Sequence, residues 1–194
     1  LRVNIVGEKR QDRKIIIHKP DLGKKEIFSL DNLDYTHSRD YFKSGINTCM
    51  KMGLSFEKGF ECEIRSNIPI QAGTSSSSAI VVSWINFLAQ LADKNPKWSL
   101  EKIGKLAYQT ECVEFGEPGG MMDQYITSCG GMLLIKSEPK VSVEKIESEL
   151  GSFVLGDSGE PKNTLDILDR CKTSRINIFE KIKSVTSQFD LHTC

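Results

Sequence analysis

Two short segments of this chain combine glycine, serine and carboxylate residues in patterns suited to handling a phosphate ester. The first, Pro69-Ile70-Gln71-Ala72-Gly73-Thr74, runs into Ser75, Ser76, Ser77 and Ser78, and then into the apolar stretch Ala79-Ile80-Val81-Val82-Ser83-Trp84-Ile85. A glycine loop that feeds an apolar helix presents the unpaired N–H groups of the first helical turn to an anion, and the helix dipole adds to the attraction. Small serines allow a phosphate to come close, and a hydroxyl there is a hard oxygen ligand for Mg²⁺. The same residues could also be a Ser-rich linker or an ordinary serine N-cap. The apolar run that follows argues against the linker. No Gly-Lys-Ser/Thr follows the loop, so it is not of the Walker A type.

The second segment runs from Glu111 to Gln124 and holds the turn Gly116-Glu117-Pro118-Gly119-Gly120, with Asp123 just beyond it. Two carboxylates flanking a tight turn can divide the work of phosphoryl transfer, one holding a metal ion and the other orienting or deprotonating the attacking hydroxyl. A solvated helix glutamate and an aspartate at a helix start would read the same way. A third group is Arg2, followed by Asn4 and Glu8. An arginine beside a carboxylate base lowers the pKa of that base and stabilises charge on a transferring phosphoryl group.

The elements that must position these residues follow from periodicity and turn chemistry. Residues 3–6, 14–18 and 25–30 read as strands, and the Asp/Asn cluster at 31–34 reads as a turn. Residues 39–52 carry a helical apolar face, with Gly53 where a C-cap belongs. Residues 60–66 alternate Phe60, Cys62 and Ile64 against Glu61, Glu63 and Arg65, the pattern of a half-buried strand. A buried helix is expected from the serine run through 79–91, and a second over 99–115 with Ser99 as its N-cap. Residues 121–128 have helical character, 132–135 and 152–155 read as strands, and 164–189 is a long polar amphipathic segment. Strands and helices interleave without a strict βαβ beat, which implies a mixed α+β two-layer fold.

The 194-residue chain is 39% hydrophobic and carries 26 basic and 26 acidic side chains, so its net charge is zero. With no basic excess to neutralise a nucleic-acid backbone, nucleic acid is not an expected partner. No apolar run is long enough to span a bilayer, and the N-terminus has no signal-peptide pattern. The six cysteines fall at 49, 62, 112, 129, 171 and 194 with no CxxC pair, which points to reduced thiols and a cytoplasmic protein. His18, His37 and His192 are scattered and read as surface or loop residues. The chain does not begin with Met, and a missing natural N-terminus is one expectation.

Taken together, these segments resemble the GHMP kinases, and within them the galactokinase-like kind. Pro69 to Ala79 resembles the phosphate loop P-x-x-x-G-L-[SG]-S-S-A-A. Gly116-Glu117-Pro118-Gly119-Gly120-Met121-Met122-Asp123-Gln124 is similar to the galactokinase segment G-x-P-x-G-x-M-D-Q. Arg2-Val3-Asn4-Ile5-Val6-Gly7-Glu8 resembles the start of R-V-N-L-I-G-E-H-T-D-Y, and Asp157-Ser158 falls where galactokinases carry a D-S or N-S pair. The resemblance implies an ATP- and Mg²⁺-dependent kinase acting on a hydroxyl of a sugar or sugar-like molecule. It implies a ribosomal protein S5 domain 2-like N-terminal domain over 1–158. Residues 159–194 would begin a C-terminal ferredoxin-like domain that is largely missing.

Carried over by motif, the phosphate loop covers Gly73, Thr74, Ser75, Ser76, Ser77 and Ser78. The Mg²⁺ ligands are Ser77 (or Ser76 if the alignment slips by one) and Glu111, twelve residues before Asp123. Asp123 is the catalytic aspartate, Arg2 its partner, and Glu8 with Asp123 meets the substrate. The chain departs from the pattern after Glu8, where Lys9-Arg10-Gln11-Asp12 replaces H-T-D-Y. That junction implies either another substrate or a lost segment. Thr74 and Gln71 replace the usual Leu and Gly. These departures keep two other readings in view, a non-catalytic relative that senses sugar and nucleotide, and an inactive kinase fragment.

Overall fold

In the computed structural model, residues 1–70, 72–137, 140–148, 151–156, 159, 164–186 and 188 are described. The expectation for Asp157-Ser158 therefore lies outside the described residues, as does that for His192. The architecture is the α+β two-layer arrangement expected from the sequence, with helices packed on one face of a mixed sheet. Strands β1 (Val3–Lys9), β2 (Lys14–Lys19), β3 (Lys24–Ser29) and β4 (Phe60–Ser66) lie in the order β1-β4-β2-β3. β4 pairs antiparallel with β1 and parallel with β2, and β2 pairs antiparallel with β3. A strand parallel to its neighbour needs a crossover, and helix α1 (Tyr41–Lys51) supplies it between β3 and β4.

The alternation seen in the sequence sets the two faces. Ile15 and Ile17 of β2 and Phe60, Cys62 and Ile64 of β4 point into the core, with Val3 and Ile5 of β1 packed against it. Helix α2 (Ser76–Leu91) fills the centre of that core, burying Val81, Val82, Trp84, Ile85 and Leu88. Trp84 stands in an aromatic cluster with Phe42, Phe60 and Phe87. Its indole N–H donates to the Phe42 carbonyl at 3.0 Å, so the one polar atom of the ring is satisfied. Gly45 on α1 lies so close to Trp84 that a Cβ there would fall 2.5 Å from Cδ1. The opposite face of the sheet is solvated. There His18 and Arg10 both meet Glu61, so His18 is a strand residue with a carboxylate partner rather than a loop residue.

Helix α3 (Leu100–Tyr108) starts on the expected Ser99 cap, whose hydroxyl accepts the Lys102 N–H at 3.2 Å. The regular helix does not run to 115, because residues Gln109–Val113 form a π-helical turn. Helix α4 (Met122–Cys129) follows, then a separate hairpin of β5 (Met132–Lys136) and β6 (Ser142–Ile146), and helix α5 (Thr164–Val185). The polar sequence of β6 gives no strand signal of its own. Residues 152–155, read as a strand, are not one. Phe153, Val154 and Leu155 are highly exposed and have no strand partner among the described residues. Cys49, Cys62 and Cys112 are buried free thiols, as expected, and Cys129 and Cys171 are also unpaired.

Candidate active site

The serine run forms the loop-to-helix junction that the sequence implies. Gly73 sits at φ 72° and Ser75 at φ 52°, both in the left-handed region, and α2 begins at Ser76. Such turns tilt successive N–H groups toward one point. Ala79 is the first residue of the helix whose N–H finds a backbone acceptor, the Ser75 carbonyl at 3.0 Å. The N–H groups of Ser76, Ser77 and Ser78 have no acceptor among the described residues. No side chain caps this helix either. The start of this sixteen-residue helix thus offers three open amides, donors of the kind that suit an anion. Thr74, which stands where the family pattern has Leu, donates its hydroxyl to the Pro69 carbonyl at 3.1 Å and helps close the loop. Gln71 lies outside the described residues.

Glu111 is carried to this junction by the π turn. In it the Glu114 N–H reaches back five residues to the Gln109 carbonyl, at 3.0 Å. One extra residue in a turn shifts the faces of the helix, and such bulges gather at functional sites. Thr110, Glu111 and Cys112 are all buried as a result, Glu111 to 4% exposure. Glu111 also falls four residues after Ala107, on the buried stripe of α3. A carboxylate on that stripe is the signal in the sequence that it is not a solvated surface group.

Sequence reasoning gave Gln124 no role, yet it joins the parts. Its amide nitrogen donates to Glu111 Oε2 at 2.7 Å and to Ser78 Oγ at 3.2 Å, with Cys112 Sγ at 3.7 Å. This one side chain brings the start of α4 against the first turns of α2 and against the π turn. Asp123, next in sequence to Gln124, lies in the first turn of α4 and is half-buried. Its carboxylate has no hydrogen-bond or ion-pair partner among the described residues. Ser76 and Ser77 keep their hydroxyls uncommitted, whereas Ser78 is buried and engaged by Gln124.

The turn before Asp123 is gripped from the segment leading into α1. Arg39 holds both carboxylate oxygens of Glu117, one at 2.6 Å, and lies over the Tyr41 ring. Tyr35 donates its hydroxyl to Glu114 at 2.6 Å. Burial drives the Tyr41 hydroxyl well above the ordinary tyrosine range. It drives the Cys112 thiol up to about 12, with Glu111 and Glu117 adding to the effect. Gly119 packs against that thiol so closely that a Cβ would fall 3.1 Å from the sulfur.

Two expected site residues are not brought to this junction. Arg2 makes no ion pair with Asp123. Its guanidinium donates to the Leu1 carbonyl, and its backbone N–H donates to Asn67 Oδ1 at 2.6 Å, stitching β1 to the base of the loop. Glu8 pairs with Glu61, five residues along β4 from Ser66. At about 3.3 Å per residue this is roughly 17 Å from where the loop begins. Glu8 is exposed. β1 continues in register through Lys9, opposite Phe60. An open hollow of about 590 Å³ lies between β3 and the approach to α1, and none of the motif residues lines it.

Comparison with known proteins bears on the family of the chain. The family model described as "GHMP kinases N terminal domain" matches residues 40–131. Residues 40–131 are a GHMP kinase N-terminal domain. The matched stretch includes the serine junction, Glu111 and Asp123, and leaves out residues 2–8. The chain is 34% identical over 124 residues to a D-glycero-alpha-D-manno-heptose 7-phosphate kinase of Campylobacter jejuni, covering 63% of this chain and 36% of that protein. It is 25% identical over 206 residues to a mevalonate kinase of Thermococcus sibiricus, covering 95% and 61%. Its fold is shared with Lactococcus lactis galactokinase complexed with galactose, at a TM-score of 0.71 and 22% identity over 98% of this chain and 50% of that one. The chain thus spans roughly one to two thirds of the length of these three relatives.

Proposed function

We propose that this GHMP kinase chain carries the phosphate-binding half of an enzyme that transfers a phosphoryl group from ATP to a hydroxyl of a sugar or sugar-like molecule. The observation that supports it most is the meeting of three open amides, at Ser76, Ser77 and Ser78, with a buried Glu111 and the start of the Asp123 helix. The open amides would receive phosphate oxygens. Glu111 and Ser77, or Ser76, would hold Mg²⁺, which when bound neutralises phosphate charge. The donor set fits that ion, since it is made of hard oxygens and is small. Mg²⁺ is ordinarily held by one or two protein oxygens together with phosphates and water. Among the described residues no three His, Cys, Asp or Glu side chains form a larger metal cage.

Asp123 would accept or orient the proton of the attacking hydroxyl, a role suited to a carboxylate with no other partner. Arg2 and Glu8 take no part in this reading. The domain boundary near residue 158 and a cytoplasmic location belong to it as well. The unpaired thiols support the cytoplasmic assignment, and no helix among the described residues is long and apolar enough to cross a membrane.

The test is phosphoryl transfer by the full-length protein from ATP to a panel of hexoses, heptose phosphates, uronic acids and mevalonate. Product is expected with a sugar, and Asp123→Ala should lower kcat by about a thousandfold. Nucleotide binding without turnover on any acceptor would favour a sensing relative instead. Full activity in Asp123→Ala would remove Asp123 from the mechanism.

A further inference from the structure

Gln124 is 2% exposed, and both hydrogens of its amide are spoken for, by Glu111 Oε2 and by Ser78 Oγ. Its carbonyl oxygen is buried and has no partner. Turning the amide over would not relieve that, because it would aim the carbonyl at the Glu111 carboxylate, acceptor against acceptor. The orientation of Gln124 is therefore dictated by Glu111, and the hydrogen bond between them is charge-assisted and short. The other oxygen of Glu111 makes no hydrogen bond among the described residues. One oxygen is fixed and the other left open.

We propose that Gln124 is a positioning residue for the cation site. It clamps one Glu111 oxygen so that the other is left for the cation beside the Ser76–Ser78 amides, and it locks Asp123, its neighbour in sequence, to the same frame. This rests on the metal role of Glu111 proposed above. The clamp joins three elements, α2 through Ser78, the π turn through Glu111 and α4 through its own backbone. The phosphate loop, the metal carboxylate and the catalytic aspartate then keep fixed spacing. Displacements of about 1 Å at such a site cost on the order of a hundredfold in rate.

The probe is Mn²⁺, with binding read by electron paramagnetic resonance on the full-length protein in the presence of ADP. Gln124→Met keeps the shape of the side chain and removes the donor, and it should weaken Mn²⁺ binding roughly 10- to 100-fold, as loss of a ligand's hydrogen-bond partner does. Gln124→Asn keeps the amide but draws it back by one carbon, and it should weaken binding by a smaller factor. This second variant keeps the test open if Gln124→Met does not fold. In Glu111→Ala, adding Gln124→Met should have no further effect on Mn²⁺, because the glutamine acts through the carboxylate.

If Glu111→Ala weakens Mn²⁺ binding and neither Gln124 variant does, the clamp is wrong and the metal role of Glu111 stands. If Glu111→Ala leaves Mn²⁺ binding unchanged, the metal role and the clamp both fall. A lowered thermal midpoint with unchanged Mn²⁺ affinity in both Gln124 variants would make Gln124 a packing residue, and would also overturn the proposal.

Discussion

Arg39 grips Glu117 with two parallel hydrogen bonds, although its own backbone sits at φ 61°, a conformation that side chains other than glycine avoid. Strain of this kind persists only where the surroundings enforce it. Here the enforcing contacts are the Glu117 carboxylate, 12% exposed, and the face of the Tyr41 ring. The grip fixes the Gly116–Gly120 turn from outside, six residues before Asp123. Arg39→Gly and Arg39→Ala both remove it, but only glycine relieves the backbone. Arg39→Gly should therefore be more stable than Arg39→Ala by about 1 kcal/mol in urea unfolding. On the proposed function, both should lose kcat in the full-length protein, with little change in nucleotide affinity. Equal stability of the two variants would mean that the left-handed turn is not enforced.

The second prediction concerns the seat of α2. Gly45 lets α1 lie against the Trp84 ring of α2, where an added Cβ would fall 2.5 Å from Cδ1 and 2.8 Å from Nε1. The indole cannot swing away without losing its bond to the Phe42 carbonyl and its place in the aromatic cluster. Gly45→Ala should destabilise the protein by about 1–3 kcal/mol, the usual range for overpacking. The gain in helix propensity from replacing glycine is smaller, about 1 kcal/mol. Chemical denaturation measures the balance, and a stabilised Gly45→Ala would show that the two helices are less tightly seated than this contact implies.

The loop-to-helix junction at 73–78 was legible because its signal is local: a glycine, four small residues and an abrupt change to an apolar run. Glu111 and Asp123 were legible through their order and spacing around a Gly/Pro turn. The π turn was not, since residues 103, 106, 107 and 110 keep an ordinary helical period up to the insertion. The place of Glu8 was not legible, because an alternating edge strand can contain Arg, Asn and Glu at the same positions as a signature loop. Only the register with β4 shows that Glu8 stands at the wrong end of the sheet. Residues 153–155 misled for the opposite reason. Phe-Val-Leu has strong strand propensity, but a strand exists only with a partner, and none lies beside it among the described residues. The role of Gln124 depends on three elements meeting, which no local window contains.

Thiol reactivity gives a third prediction, one that tests burial directly. Burial pushes the Cys49 and Cys62 thiols up to about 12, and burial with nearby carboxylates does the same to Cys112. Thiolate, not thiol, is the alkylated species. Iodoacetamide at about pH 8 should label the exposed Cys171 in the folded protein and spare Cys49, Cys62 and Cys112, with all four labelled in denaturant. Mass spectrometry of the digested protein reads the pattern. Rapid labelling of Cys112 in the folded protein would mean that the π turn opens readily, and that Glu111 is not held as described.

The outer face of the sheet supplies a prediction about acid. Arg10 donates to both oxygens of Asp12, at 2.8 and 3.0 Å, and to Glu61 at 2.8 Å. The hydrogen bond from Arg10 holds the Asp12 carboxyl down at about 2. Glu61 is lowered first by its hydrogen bond with His18 and then by Arg10. Carboxyls depressed in the folded state add stability that is complete above their unfolded value, near about 4, and is lost as pH falls through the folded value. Arg10→Ala should therefore have a lower thermal midpoint than the parent near neutral pH. The gap should narrow below about pH 4 and close by about pH 2, as Asp12 becomes protonated in both proteins. The gap will be small, because exposed ion pairs are weak, and salt should reduce it further. A gap that stayed constant from neutral pH to acid would assign the loss to packing of the arginine stem rather than to its charge.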